Sequence, residues 1–224
     1  ILPIHIDLIR GSGLFVALAG ALAAAPFTLR GALSRITVAL PFALSASLGS
    51  ILGARVGLTL DAASVRLYLG ILLVFVVVLT AVTTRKLPKE WNSQGNEVEG
   101  ESWWPKHRVA AGVLFFVIGF LGGVFGIGTG WANVPVLIAV AGAPLRIAAA
   151  TSGLIIIANS ATAGWVYLSR GAVDPLLTIA AVTGMTLGSR LGARLLHKVR
   201  QEVIRWVVLS LLLLAAARSF WEVV

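Results

Sequence analysis

A glycine-rich stretch in the middle of the chain, residues 119–135, carries the pattern best suited to binding a small molecule. Glycines alternate at positions 126, 128 and 130 and are followed by Asn133 and Pro135. Alternating glycines beside a proline disfavour a continuous helix, so we expect the helix to break here. A new helix beginning near Trp131 would direct unpaired N–H groups and the positive end of its dipole into the break, which suits an anion.

Neutral groups around this break are the candidate donors of a binding site. We expect backbone and side-chain groups from the stretch and from the next apolar segment to hold the anion: Gly126, Gly128, Thr129, Gly130, Asn133, Thr151, Ser152 and Asn159. Arg146, which directly precedes that segment, is the candidate cation that attracts it. The alternative is helix packing, because Gly119/Gly123, Gly122/Gly126 and Gly126/Gly130 have the small-residue spacing that lets helix backbones approach closely.

The other residues that could do chemistry argue against an enzyme. The chain has no cysteine, and its nine Asp and Glu and three His residues lie outside the apolar segments. An intramembrane protease or a carboxylate-based pump needs ionisable groups at membrane depth. The histidines lack metal-ligand spacing and are more typical of interfacial residues. We predict no catalytic residues, no metal and no cofactor.

The composition of the chain indicates the class of fold that positions these residues. Hydrophobic residues make up 58% of the chain and charged residues 12%, and the mean hydropathy is +0.95, whereas soluble domains contain about 25% charged residues. The sequence therefore predicts an all-α integral membrane protein, a multi-span helical bundle. The net charge of +9 is spread over short gaps between apolar runs, so it indicates membrane topology and not nucleic-acid binding.

Eight apolar segments contain no Asp, Glu, Lys, Arg or His: about 12–29, 36–53, 67–84, 109–125, 131–143, 147–168, 175–189 and 206–217. Most approach the length of roughly 20 residues that a helix needs to cross a bilayer. Segment 131–143 is too short to span alone, so we predict a broken or re-entrant helix after the glycines. Trp165 and Tyr167 are predicted to lie in an interfacial aromatic belt.

Internal repetition divides the chain into two transmembrane repeats, 1–84 and 109–224, joined by a polar linker, 85–108. Ser12-Gly13-Leu14 recurs at 152–154, and the heptapeptide at 49–55 recurs at 188–194 with one difference. Gly49/Gly53 and Gly188/Gly192 are predicted to pack helices together. Nothing before Ser12 matches segments 109–143, so the first repeat is expected to be incomplete, lacking its glycine-rich start.

The distribution of positive charge favours repeats of inverted orientation. Inverted repeats would place the linker's Lys and Arg residues on the same side of the membrane as Arg30, Arg35, Arg146 and the basic run from Arg190 to Arg205, whereas parallel repeats would divide the charges evenly. Inverted repeats around a midplane site are a recurring plan of secondary transporters.

Together these motifs resemble the sulfite exporter TauE/SafE family of membrane permeases. The resemblance rests on Gly122-Gly123, the glycines at 126–130, Val134-Pro135, Ala143-Pro144 and Ala150-Thr151-Ser152, and it covers nearly the whole chain except the linker. It implies transport of small sulfur-containing anions such as sulfite, thiosulfate or organosulfonates. The chain departs from the family pattern in lacking the first glycine-rich stretch and in carrying Trp131-Ala132-Asn133 after the second.

We therefore expect a multi-pass protein of the inner or plasma membrane that moves a small anion by alternating access at the glycine break. Its partners would be this anion and the lipid bilayer, and homo-oligomerisation is left open. The competing hypothesis is a non-transporting scaffold or assembly factor whose glycines only pack helices.

Overall fold

The computed structural model describes residues 6–28, 36–61, 64, 65, 67–72, 74, 105, 107–143, 145–195 and 210. The bounds of six helices are defined: α1 Ile6–Thr28, α2 Ile36–Gly57, α3 Arg108–Phe125, α4 Gly130–Ala139, α5 Leu145–Ser169 and α6 Pro175–Leu195. Residues 64, 65, 67–72 and 74 are also helical. The linker 85–108 lies almost entirely outside the described residues, and so does the apolar segment 206–217 except for Ser210. The predictions made for those two regions remain predictions.

Four of the six helices are long and apolar enough to cross a membrane. The candidate spans are Ile6–Pro26, Ala39–Gly57, Arg108–Phe125 and Ile147–Ser169. Helix α4 has only 10 residues, and at 1.5 Å per residue it is about 15 Å long, half the thickness of the hydrocarbon layer. The predicted all-α integral membrane fold is confirmed, and so is the break before a short helix.

Helix α1 begins six residues before the apolar segment that predicts it. Asp7 and Arg10 precede that segment in the sequence, but in the structure they lie within the first two turns of α1 and form an ion pair. The prediction that all carboxylates lie outside the spans is wrong for Asp7. A carboxylate and a guanidinium three residues apart on a helix neutralise one another, so the helix continues through both.

Helices α2 and α3 run parallel and pack through glycines on both sides. A Cβ added to Gly49 or Gly53 would lie 2.0 Å from an α3 carbonyl oxygen, that of Phe116 or Phe120 respectively. Gly123 of α3 packs similarly against α2, because a Cβ added to it would lie 2.3 Å from the Ser50 carbonyl oxygen. Packing by Gly49 and Gly53 is confirmed, whereas a Cβ at Gly188 or Gly192 would meet nothing within 4 Å, so that pair has no packing partner in the described part of the chain.

Helix α1 completes the bundle and lies antiparallel to α5. Near the start of α1, Gly11 packs against Tyr167, which is close to the end of α5, and further along α1 Leu14 lies near Gly164. Helix α6 follows α5 after a turn at Gly171 and runs parallel to α1, with the Thr178 hydroxyl donating to the Ser12 hydroxyl at 2.8 Å. Helices α1, α2, α3 and α5 therefore surround the segment between α3 and α4.

Candidate functional site

The break between α3 and α4 is built by two glycines in the left-handed conformation. Gly126 (φ 70°) ends α3, with its N–H donating to the Gly122 carbonyl at 3.0 Å, and Gly128 (φ 68°) redirects the chain. Glycine adopts this conformation without the steric cost that a Cβ imposes. The Trp131 indole N–H donates to the Gly128 carbonyl at 3.2 Å and holds the turn closed.

The break lies inside the bundle, about halfway along the neighbouring helices. A Cβ on Gly128 would lie 3.3 Å from the Ala17 Cβ, near the middle of α1, and 3.5 Å from the Ser160 hydroxyl on α5. One on Gly130 would lie 3.3 Å from the Ile156 side chain of α5. From this level α4 leads back to the start of α5, so it runs antiparallel to α5 and begins at mid-depth.

The start of α4 presents unpaired backbone donors at this depth. The Thr129 carbonyl accepts from the N–H groups of Ala132 and Asn133 at 3.1 and 3.2 Å. The N–H groups of Gly130 and Trp131 precede these bonds and so have no acceptor within the helix. Thr129, the N-cap residue, makes no capping bond with its side chain. Gly130, the first residue of α4, is exposed, whereas Thr129 before it and Ala132 two residues later are buried.

Three neutral side chains in this region are fully buried, each 0% exposed: Thr129 and Asn133 at the start of α4, and Asn159, which directly precedes Ser160 on α5. The Asn133 Nδ2 donates to Thr129 Oγ1 at 3.0 Å, which leaves the hydroxyl proton of Thr129 available to another acceptor. Asn159 Oδ1 accepts from the Ser160 hydroxyl at 3.2 Å. Asn133 Oδ1 and Asn159 Nδ2 are buried without a hydrogen-bond partner. Unpartnered buried amide atoms are rare and costly, so a ligand that accepts a hydrogen bond from Asn159 Nδ2 would gain favourable binding energy.

The structure brings only some of the predicted site residues together. Thr151 and Ser152 are buried on the second turn of α5, 3% and 4% exposed, at the end towards which α4 runs. The Arg146 side chain lies outside the described residues. Its backbone is ten residues before Ile156, about 15 Å along α5 from the start of α4. The role of Arg146 remains a prediction.

Sequence reasoning missed a cluster next to the break, made by the buried Arg10 and Tyr167 and the partly buried Asp7. Arg10 is 3% exposed and donates to the carbonyl oxygens of Gly57 and Val124 at 2.9 and 3.0 Å. The assignment of Tyr167 to an interfacial belt is wrong, because it is 0% exposed and its hydroxyl lies 3.0 Å from the Gly123 carbonyl. Trp165, 69% exposed, has the outward position expected of a belt residue. The three-residue spacing of Asp7 and Arg10 was the available signal.

No cluster of His, Cys, Asp or Glu that could hold a metal occurs among the described residues. Thr129 and Asn133, the polar side chains described at the start of α4, are neutral and can form hydrogen bonds with a ligand.

Comparison with known proteins agrees with a transport function. The family described as sulfite exporter TauE/SafE matches residues 1–219. "Probable membrane transporter protein YunE" from Bacillus subtilis (strain 168) is 28% identical over 187 residues, which are 81% of this chain and 68% of the relative. No solved structure matches the chain. The chain is a multi-pass membrane transporter, and it belongs to the sulfite exporter TauE/SafE family.

Proposed function

We propose that the chain transports a small sulfur oxyanion, sulfite, thiosulfate or an organosulfonate, which binds at the break between α3 and α4. The observation that carries this proposal is the coincidence of a helix N-terminus at mid-depth with the buried, unpartnered donor Asn159 Nδ2 on the turn of α5 that contains Ser160, the neighbour of Gly128. The Gly130 and Trp131 N–H groups, the Thr129 hydroxyl and Asn159 Nδ2 would donate to the oxyanion. Asn133 positions Thr129 through its 3.0 Å hydrogen bond.

The choice of an anion follows from electrostatics. The α4 N-terminus carries a partial positive charge of about half an elementary charge, and this charge acts strongly where water is scarce. The Asp7 carboxylate is paired with Arg10 and does not stand unneutralised near the break. Sulfur as the central atom is supported by the family and not by the geometry.

Alternating access is supported by the opposed directions of the helices. Helices α1 and α5 carry the matching Ser-Gly-Leu motifs, and their contacts show that they run antiparallel. Two repeats of inverted orientation, 1–84 and 109–224, would then move against one another around the break. Gly126 and Gly128 give the backbone at that point the conformational freedom such a movement needs.

Counterflow of labelled sulfite and of a small labelled sulfonate into proteoliposomes tests the proposal. Thr129→Val keeps the shape of the side chain and costs no cap hydrogen bond, but it removes the hydroxyl and with it the acceptor of the Asn133 Nδ2 hydrogen bond. A hydrogen bond to a charged group contributes about 1.5–3 kcal/mol, so we expect a loss of roughly tenfold to a hundredfold at low substrate. Asn133→Ala should also reduce flux, because the Thr129 hydroxyl is then no longer positioned by its hydrogen bond to Asn133.

Thr183→Val on α6 is the matched control. The Thr183 hydroxyl donates only to carbonyls of its own helix, and the residue is exposed. Saturable flux that survives Thr129→Val unchanged would refute the site.

The scaffold hypothesis has one observation in its favour, since Gly119 and Gly123 do pack closely against α2. It predicts no saturable flux of either anion, and binding of neither anion by the purified protein.

A further inference from the structure

A charged residue buried within a candidate membrane span is costly, and Arg10 is such a residue. It lies in the second turn of α1, 3% exposed, and its guanidinium pairs with Asp7 one turn earlier. A second guanidinium nitrogen donates to both the Gly57 and the Val124 carbonyls. Buried charges at membrane depth are rare and generally functional.

The acceptors of Arg10 are carbonyl groups at the ends of helices. Gly57 is the last residue of α2, and Val124 is in the last turn of α3, where carbonyls lack donors within the helix. A cation at these ends also complements the negative ends of the two helix dipoles. The Tyr167 hydroxyl reaches the Gly123 carbonyl, and the Arg10 guanidinium carbon lies 5.9 Å from the centroid of the Tyr167 ring. The cluster thus joins α1, α2, α3 and α5 at one end of the bundle.

This cluster lies between the break and that end of the bundle. Gly126, the first residue of the break, packs against the Arg10 backbone, with its Cβ position 2.5 Å from the Arg10 Cα. Gly128 is deeper, at the level of Ala17. Arg10 and Tyr167 therefore lie between Gly128 and the end of the bundle where α1 starts.

The second repeat has no charged residue at the position equivalent to Arg10. At the offset that aligns Ser12-Gly13-Leu14 with residues 152–154, the position equivalent to Arg10 is Ala150 at the start of α5. Within the described part of the chain, the ionic cluster at Arg10 is thus not repeated at the equivalent position of the second repeat.

We propose that Arg10, positioned by Asp7 and Tyr167, is a gate that closes this end of the bundle over the α3–α4 break. Opening requires Arg10 to release the Gly57 and Val124 carbonyls, which lets α1 separate from the ends of α2 and α3. The proposal rests on the proposed transport function, because it names how the same site is closed on one side.

Cysteine accessibility tests the gate without requiring knowledge of the substrate. The chain has no cysteine, so Ala17→Cys would place a single thiol beside Gly128 at the break. A membrane-impermeant maleimide is applied to vesicles of each orientation. Arg170→Cys, at the exposed turn after α5, identifies the vesicles in which the Arg10 end faces the reagent.

From that side we expect slow labelling of Ala17→Cys, and labelling faster by roughly tenfold or more when Arg10→Met is added, because hydrogen bonds to a charged group hold the gate. Tyr167→Phe, which keeps the ring and removes the hydroxyl, should increase the rate by less. Arg170→Met removes an exposed cation at the same end and should leave the rate unchanged.

An unchanged rate in folded Arg10→Met protein overturns the proposal, and so does an equal increase from both sides, which would mean general loosening. If Arg10→Met does not fold, the labelling rate of Ala17→Cys in the Tyr167→Phe background is used instead, and an unchanged rate there overturns the proposal. If Arg10→Met speeds labelling but the protein carries no flux of sulfite or sulfonate, the proposed substrates are rejected and the gate proposal is retained.

Discussion

Substituting Gly128 by alanine tests whether the left-handed turn is needed for transport. Gly128 and Gly171 have the same φ, 68°, but only Gly128 lies at the break. A Cβ on Gly128 would touch the Ala17 Cβ at 3.3 Å, a tight but not forbidden contact, and one on Gly171 would meet nothing within 4 Å. The two variants therefore share the same backbone strain and differ mainly in location.

The magnitude follows from the conformation alone. A left-handed residue with a Cβ costs about 1–2 kcal/mol relative to the right-handed region. A free energy of this size changes the population of the competent turn by a factor of about 5–30. We expect Gly128→Ala to lower counterflow at subsaturating sulfite by about this factor, because the turn sets the direction of the Thr129 and Gly130 donors.

Proteoliposome counterflow and thermal unfolding in detergent are measured for both variants. Gly171→Ala should lose a similar free energy of unfolding and keep its flux. Equal flux losses in the two variants would refute the reasoning, because the effect would then follow from stability. Retained flux in Gly128→Ala with reduced stability would show that the left-handed turn is not needed for binding.

Two further pairs of variants test the packing that holds the break in place. Gly53→Ala should lower the free energy of unfolding by about 1–3 kcal/mol, because its Cβ would lie 2.0 Å from an α3 carbonyl oxygen. Gly192 stands in the same tetrapeptide, Leu-Gly-Ala-Arg, but a Cβ there meets nothing, so Gly192→Ala should raise the free energy of unfolding by up to about 1 kcal/mol through helix propensity. Equal effects of the two substitutions on thermal unfolding would contradict this prediction. Ser50→Ala removes a 3.1 Å hydrogen bond to the Asn159 carbonyl and should reduce counterflow. Ser45→Ala removes a hydrogen bond between α2 and α3 outside the site and should leave counterflow unchanged. Equal counterflow in the two variants would contradict this prediction.

Helix positions could be predicted from the sequence because apolar runs report them directly. The segments 36–53, 109–125 and 147–168 each fall within a helix of the structure, and the short segment 131–143 contains most of α4. The start of α1 could not be predicted in this way, because hydropathy counts Asp7 and Arg10 as two charges although they act as a neutral pair. A rule that pairs opposite charges three residues apart would have extended the helix to Ile6.

The break could be predicted from local backbone chemistry, but the side chains that approach it could not all be. Gly126 and Gly128 need the left-handed region wherever the chain turns sharply, and this requirement is visible in the sequence. Ser50 and Tyr167 form hydrogen bonds to the Asn159 and Gly123 carbonyls near the break. These contacts depend on how the helices are arranged in the bundle. Such contacts between residues far apart in the chain are set by tertiary packing, which a single sequence does not specify.

The two explanations of the glycine-rich stretch, packing and breaking, apply to different glycines in succession. Gly119 and Gly123 press α3 onto the α2 backbone, so the end of α3 is held at a defined depth. Gly126 and Gly128 then turn the chain at that depth. A break in a loosely packed helix would place its free amides at a variable level, and the donors of α4 could not converge on one anion. The tight α2–α3 contact is therefore a condition for the proposed site, and for this reason Gly53→Ala is expected to reduce flux as well as stability.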